Sequence, residues 1–371
     1  MKTFAETILM PQQTVIGPGK ALSLLQELQQ FGPRGVLVYG HSLAKNSMLE
    51  RILGNSLSSK SICLWQHSGG EPSLAQLDAL LESARKHEPD WIAAVGGGSV
   101  MDLAKAAAGL LHAPNPLTVY HDGKPIDPSF LPFIAVPTTA GTGSEATQVA
   151  VLTNQETGVK KSIRHPSFMP RLVVLDSTLL ASCPRTVIAA AGMDALTQAI
   201  EAFISRKSHW FSDQCALKAI ELIINSIEAV YADSTSDVAE TLLQGSYLAG
   251  IALGNARLGL VHGLAHPLGA RYNLPHGLVC ALCLPYVLAF NKPVISDKYK
   301  EMCYCISRDI LDEIYRLGTA LHIPNAFRRI ECTDQDNIIA ETLASGSTAA
   351  NPRDVSAQDV EIILETLFLA G

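Results

Sequence analysis

Charge is sparse in this sequence. Asp, Glu, Lys and Arg make up 17% of 371 residues, the net charge is −7, and no Lys/Arg block or basic stripe occurs. That argues against a nucleic-acid partner. Long hydrophobic runs are lacking too: Leu131 to Pro137 and Val279 to Leu288 stop well short of the roughly 20 residues a membrane-spanning helix needs. No membrane partner is therefore expected. The N-terminus, Met1 to Glu6, shows no signal-peptide pattern, because Glu6 and Gln12 interrupt its few apolar residues. No repeat with a period of roughly 20–50 residues appears, nor any low-complexity linker. The eight cysteines are scattered, without two pairs at zinc-finger spacing, which suits reduced thiols in a cytoplasmic protein. The formal CxxC at Cys280 and Cys283 lies inside the apolar run Leu278 to Leu284 and reads as core packing. Cys303 and Cys305 read as structural as well.

What is present is a large apolar fraction, 47%, in a 39.7 kDa chain. That is enough for a well-packed core and long enough to predict two domains. In the first half, short apolar strands alternate with helical spacing: Val36–Tyr39, Ser61–Trp65, Trp91–Val95, Phe133–Val136 and Leu172–Leu175, with helices over Pro72–His87 and Val100–Leu111. Such alternation predicts a parallel sheet covered by helices. From about Leu179 the spacing is helical throughout, over Val187–Ile204, Phe211–Tyr231, Val238–Ala256, Leu278–Phe290, Tyr299–Leu321 and Ile338–Ala349, with a short helix from Ala357. The expected organisation is an α/β, Rossmann-like dinucleotide-binding domain over 1–178 and an all-α metal and substrate domain over 179–371.

Two loops in the first half have the composition of phosphate-binding turns. Gly96, Gly97, Gly98 and Ser99 follow a predicted strand and open a helix whose N-terminal N–H groups and dipole favour a pyrophosphate. Ser99 is placed to cap that helix, with Asp102 three residues on completing a box-like arrangement. After the next strand, Thr138, Thr139, Thr142 and Ser144 combine with two glycines into a flexible surface of donors. Neighbouring loops of this kind fit the carboxyl edge of an open sheet. A third place, Tyr39-Gly40-His41-Ser42, lacks the carboxylate that would meet a ribose 2′-hydroxyl. Gly40, His41, Ser42 and Lys45 would therefore not repel a 2′-phosphate, and NADP or dual use is favoured.

The second half concentrates histidine. His262 and His266 share one helix face at i,i+4, and His276 follows in a predicted Pro-His-Gly turn. Asp194 and Gln198 repeat the i,i+4 spacing upstream. One carboxylate with imidazoles suits Fe²⁺ or Zn²⁺ better than Mg²⁺ or Ca²⁺, which prefer oxygen shells. Three protein ligands with an open position mark a catalytic rather than a structural ion.

With these residues in view, the chain resembles the iron-containing (group III) alcohol dehydrogenases, relatives of glycerol dehydrogenases, maleylacetate reductases and dehydroquinate synthases. The likeness runs nearly end to end. It is carried by Gly69-Gly-Glu-Pro72, Gly96 to Asp102, Pro137 to Glu145, Gly192 to Thr197, Gly259 to Pro285 and Asn351-Pro-Arg353. It implies a dehydroquinate synthase-like fold, NAD or NADP on the glycine and threonine loops, and Lys160 near that cofactor. It further implies a divalent ion held by Asp194, position 198, His262 and His276, with His266 beside nicotinamide and substrate. The substrate would be a small alcohol or aldehyde, and a homodimer is the expected assembly. Gln198 departs from the pattern, since histidine is usual there and an amide oxygen is the weaker donor. Three ligands sufficing, weak ligation by Gln198, and metal-free reduction of the maleylacetate-reductase kind all stay open at this point. A synthase-type reaction and a non-catalytic dinucleotide-binding protein are the remoter alternatives. Tyr120 to Gly123, Gln148 and Arg271-Tyr272 are candidates for lining the substrate site, Arg271 as an attractor of anions.

Overall fold

The computed structural model describes residues 7–45, 47–54, 60–126, 131–328 and 330–369. Met1 to Glu6 lie outside the described residues. The chain divides into two compact units, Leu9–Cys183 and, from Pro184 onward, a second built of helices.

The first unit is organised by a six-stranded sheet. Its strands are β1 (Gln13–Ile16), β2 (Gly35–Tyr39), β3 (Ile62–Gln66), β4 (Trp91–Gly96), β5 (Phe133–Pro137) and β8 (Leu172–Leu175), in the order β1-β8-β5-β4-β2-β3. All the pairings are parallel. The strands β4, β5 and β8 are buried from end to end, as expected for a parallel sheet covered on both faces. Leu37, Ala93, Val95, Ile134, Val136, Leu172 and Val174 form one continuous core with Leu24, Leu28, Leu49 and Ile52. β2 lies between β3 and β4, so the connection from β3 to β4 crosses it and the winding direction reverses there. That reversal opens the crevice in which sheets of this type bind ligands.

Sequence periodicity did not show β1 or an antiparallel hairpin, β6 (Val149–Asn154) and β7 (Val159–Arg164). In β6 buried and partly exposed residues alternate, the two-residue period of a half-covered strand. The predicted Ser99 cap is not formed. The helix begins at Gly98 with Gly97 as its N-cap and no side-chain cap bond. Ser99 therefore lies inside the first turn, and the Asp102 carboxyl turns away to bond Ser144 and Val151.

In the second unit the helix Arg185–Ile204 is the axis, packed by Trp210–Ala232, Ala239–Ala256 and His276–Asn291. The single helix expected over Tyr299–Leu321 is two, Ser296–Ile306 and Ile310–Ala320. Ser307 turns left-handed (φ 57°), and Asp309 caps the second helix by accepting from the Leu311 and Asp312 N–H groups. The expectation about membrane-length segments also needs correction. By length and composition, Arg185–Ile204 and His276–Val294 are long and apolar enough to cross a bilayer. In the first, 83% of the apolar window is buried inside the fold, and in the second 50%.

Candidate metal centre and nucleotide loops

Asp194 projects from the middle of the helix Arg185–Ile204, and His262 from the first turn of Leu260–Tyr272. His276 is expected in a turn from its Pro-His-Gly setting, and it is not in one. It is the first residue of the helix His276–Asn291, with Pro275 as the N-cap. Proline just outside a helix start is compatible with the helix, because the missing N–H has no helical role there. Gly277 lets this helix end press close to its neighbour: a Cβ there would lie 2.4 Å from the Ala190 carbonyl oxygen. His276 is thereby brought to Asp194, its Nε2 at 4.0 Å from Oδ1, while His262 Nε2 stands at 3.5 Å from the same oxygen.

Two residues complete the surroundings that sequence reading passed over. Glu201 Oε2 accepts from His262 Nδ1 at 2.6 Å, and its other oxygen accepts from the Val261 N–H at 2.6 Å. With its Nδ1 proton committed, His262 presents the lone pair of Nε2 to the cluster. Cys280, read from sequence as core, lies one turn after His276 with Sγ 3.6 Å from His276 Nε2 and 3.9 Å from His262 Nε2. The spacing from His276 to Cys280, i,i+4, was the available signal. Cys283 fits the packing expectation and lies fully buried.

Gln198 is one turn from Asp194 and donates from Nε2 to Asp194 Oδ2 at 3.0 Å. Turning the amide over would set oxygen against carboxylate, so this bond fixes its orientation. Asp194 Oδ1 and Gln198 Oε1 are buried, and neither accepts a hydrogen bond among the described residues. A buried carboxylate oxygen in that state is costly unless a cation meets it. Burial works against ionisation of Asp194, yet His262, His276 and Cys280 together bring its pKa below the usual value. A divalent ion fits this donor set of carboxylate, imidazoles and thiol. His266, by contrast, is exposed, and its ring stacks on that of His276 at 5.2 Å between centroids.

In the other unit the predicted loops come together at the winding reversal. Gly40 follows β2 and donates its N–H to the Val95 carbonyl, and Thr138 donates its N–H to the Gly96 carbonyl. A Cβ on Gly98 would lie 2.6 Å from the Thr142 side chain, so glycine is what allows the two loops this approach. Thr139 lies against Gly97. His41 and Ser42 are exposed at the start of the short helix that follows Gly40. Ser42 and Thr138 line a cavity of about 160 Å³ with Arg51, Thr178 and Leu179. Lys160, on β7, pairs with Glu71 of the Gly-Gly-Glu-Pro segment at 2.8 Å.

Asp102 and Ser144 are drawn into a different task. Their side chains bond each other at 2.5 Å, beside fully buried Lys105. Lys105 Nζ donates to the carbonyls of Ser144 and Val149 and to the hydroxyls of Ser144 and Thr147. Burial draws its pKa down to about 8, and burial pushes neighbouring Glu145 up to about 7. Of the residues proposed to line a substrate site, Tyr120 and His121 are buried, and Asp122 pairs with Lys161. Arg271 is held by Asp334 and Glu341 at 2.8 and 2.7 Å.

Comparison with known proteins decides what these parts belong to. The family description "Iron-containing alcohol dehydrogenase" matches residues 11–177, and "Fe-containing alcohol dehydrogenase family, C-terminal" matches 188–368. The chain belongs to the iron-containing alcohol dehydrogenase family. Among relatives of this enzyme, the probable alcohol dehydrogenase EutG of Escherichia coli is 36% identical over 300 residues, 80% of this chain and 76% of its own. The NADPH-dependent butanol dehydrogenase of Clostridium saccharobutylicum is 30% identical, covering 97% of both chains. Among solved structures, sulfoacetaldehyde reductase from Bifidobacterium kashiwanohense in complex with NAD⁺ superposes with a TM-score of 0.92 at 27% identity, over 99% of both chains. The expected fold class holds. The iron-type alcohol dehydrogenase described here is an NAD(P)-dependent oxidoreductase of alcohols and aldehydes.

Proposed function

We propose that this enzyme reversibly transfers a hydride between a small alcohol and the nicotinamide, at a divalent ion held by Asp194, His262 and His276. The observation that carries the reading is the buried Asp194 Oδ1, which accepts no hydrogen bond among the described residues and faces two imidazoles at 3.5 and 4.0 Å. Such an ion, Fe²⁺ or Zn²⁺, supplies Lewis-acid polarisation of the substrate oxygen and steadies its negative charge. The chain's own residues do the rest. Glu201 holds His262 in one tautomer, and Gln198 steadies Asp194 through Nε2 while offering Oε1 as a weaker donor. His266, exposed and stacked on His276, is assigned the relay of the alcohol proton to water. Gly96, Gly97, Gly98 and Ser99, with Thr138, Thr139 and Thr142, are assigned to the dinucleotide phosphates and ribose. Asp102 and Ser144, bonded to each other, brace that loop, and Lys160, paired with Glu71, is assigned to the vicinity of the cofactor.

The exposed Ser42 and Arg51 at the cavity beyond β2, with no carboxylate on the Gly40-His41-Ser42 turn, support acceptance of a 2′-phosphate. Use of NADP, alone or beside NAD, follows. A homodimer and a cytoplasmic location belong to the same reading; eight free thiols suit the latter. Chelation tests the metal role. Activity with an aldehyde and NAD(P)H should disappear with EDTA and return with Fe²⁺ or Zn²⁺, whereas full turnover by demonstrably metal-free protein overturns it.

A further inference from the structure

We infer that Cys280 is a fourth protein donor to this ion and that its thiolate biases the centre toward Zn²⁺ over Fe²⁺. The inference rests on the metal reading above and adds a residue that the sequence pattern assigns to the core. Donor atoms of Asp194, His262, His276 and Cys280 all lie within 4.8 Å of one another. With bonds of about 2.0–2.3 Å, neighbouring donors of such an ion stand roughly 3.3–3.6 Å apart, and expansion to five-coordinate leaves a position for the substrate oxygen. The two imidazole–thiol distances, 3.6 and 3.9 Å, are already close to that spacing.

The backbone supports the same reading. His276 and Cys280 are i,i+4 on one helix, so both point to one side. The thiol is fully buried, and its hydrogen-bonding neighbours in the structure are the two imidazoles of the cluster. Where a histidine would add a nitrogen, position 198 instead directs its Nε2 at Asp194. On binding, a sulfur–metal bond forms, the thiol proton leaves to water, and nothing is oxidised or reduced. A soft thiolate beside imidazoles raises affinity for Zn²⁺ more than for Fe²⁺. Cys283, equally buried in the same helix, is outside the cluster and serves as the control.

The test loads metal-stripped, full-length protein with Co²⁺. A sulfur-to-cobalt charge-transfer band in the near ultraviolet is expected at one equivalent, lost in Cys280→Ser and kept in Cys283→Ala. Cys280→Ser should weaken Zn²⁺ affinity by at least about tenfold, the smallest cost of losing even an outer partner of a metal ligand, and should lower the preference for Zn²⁺ over Fe²⁺ in anaerobic competition. Stoichiometric Co²⁺ without the band overturns the role of Cys280 and leaves the metal reading standing. Failure of the wild-type protein to bind any Co²⁺, Zn²⁺ or Fe²⁺ overturns both. The wild-type spectrum decides the matter even if Cys280→Ser does not fold.

Discussion

Two buried carboxylates in this enzyme each carry an oxygen that accepts no hydrogen bond among the described residues, Glu145 in the α/β unit and Asp194 in the helical one. They resolve the same difficulty in opposite ways. Near Glu145 stands a cation, Lys105, but its donors are directed to Ser144, Thr147 and Val149. Glu145 therefore moves toward its neutral form, with a pKa of about 7. Asp194 is faced by imidazoles and an amide donor and stays below the usual range. Glu145 escapes the cost of burial by moving toward neutrality. A buried acid that is kept charged without a full set of partners marks a place for an ion.

The strongest way to break this comparison is Asp194→Asn. It keeps the shape and removes the charge, so bound metal should be lost and kcat/KM should fall roughly 10³-fold or more, the several kcal/mol that a Lewis-acidic ion contributes. Metal content by elemental analysis, with thermal unfolding as the control for folding, checks it. Glu145 should instead show itself in stability. Its folded pKa lies above the unfolded value of 4.5, so its contribution is full below pH 4.5 and is lost as pH rises toward about 7. Lys105 has the opposite sign. Its folded pKa of about 8 lies below 10.5, so stability returns as pH rises from about 8. These two groups predict a stability minimum between about pH 7 and 8, no deeper than about 3 kcal/mol on the acid side. Urea unfolding across pH should show the acid-side slope, and Glu145→Gln should flatten it. Glu201, a buried carboxylate with both oxygens bonded, sharpens the contrast. Glu201→Gln should leave the fold intact and weaken metal affinity about 10–100-fold by loosening His262, as read by chelator competition.

Much of this was legible in the sequence because the relevant signals are local. Leu172–Leu175 is a strand with the expected bounds, and Trp91, Phe133 and Gly35 begin strands within a residue or so of the apolar runs. Asp194, His262 and His276 meet as their residue types promised. What escaped depends on direction or contact. His276 reads as a turn because Pro and Gly flank it, although proline ahead of a helix and glycine at a close helix contact produce the same letters. Cys280 sits in so apolar a run that its sulfur looks like packing; its i,i+4 spacing from His276 hints at one imidazole, and the fold adds that of His262. Asp102 and Ser144 bond each other across two separate elements, a pairing that residue order alone does not show. Helical periodicity carries across Ser307 to Asp309, so one helix was expected where a left-handed residue and a capping aspartate make two.

The order of these parts along the chain has a consequence for synthesis. The glycine and threonine loops are complete by Ser144, within a unit that ends at Cys183, while every donor of the metal cluster lies between Asp194 and Cys280. Domains fold as units, the N-terminal one first as the chain emerges. A nascent chain can thus form its glycine and threonine loops before Asp194 has left the ribosome, and the proposed ion is the last component for which a place exists.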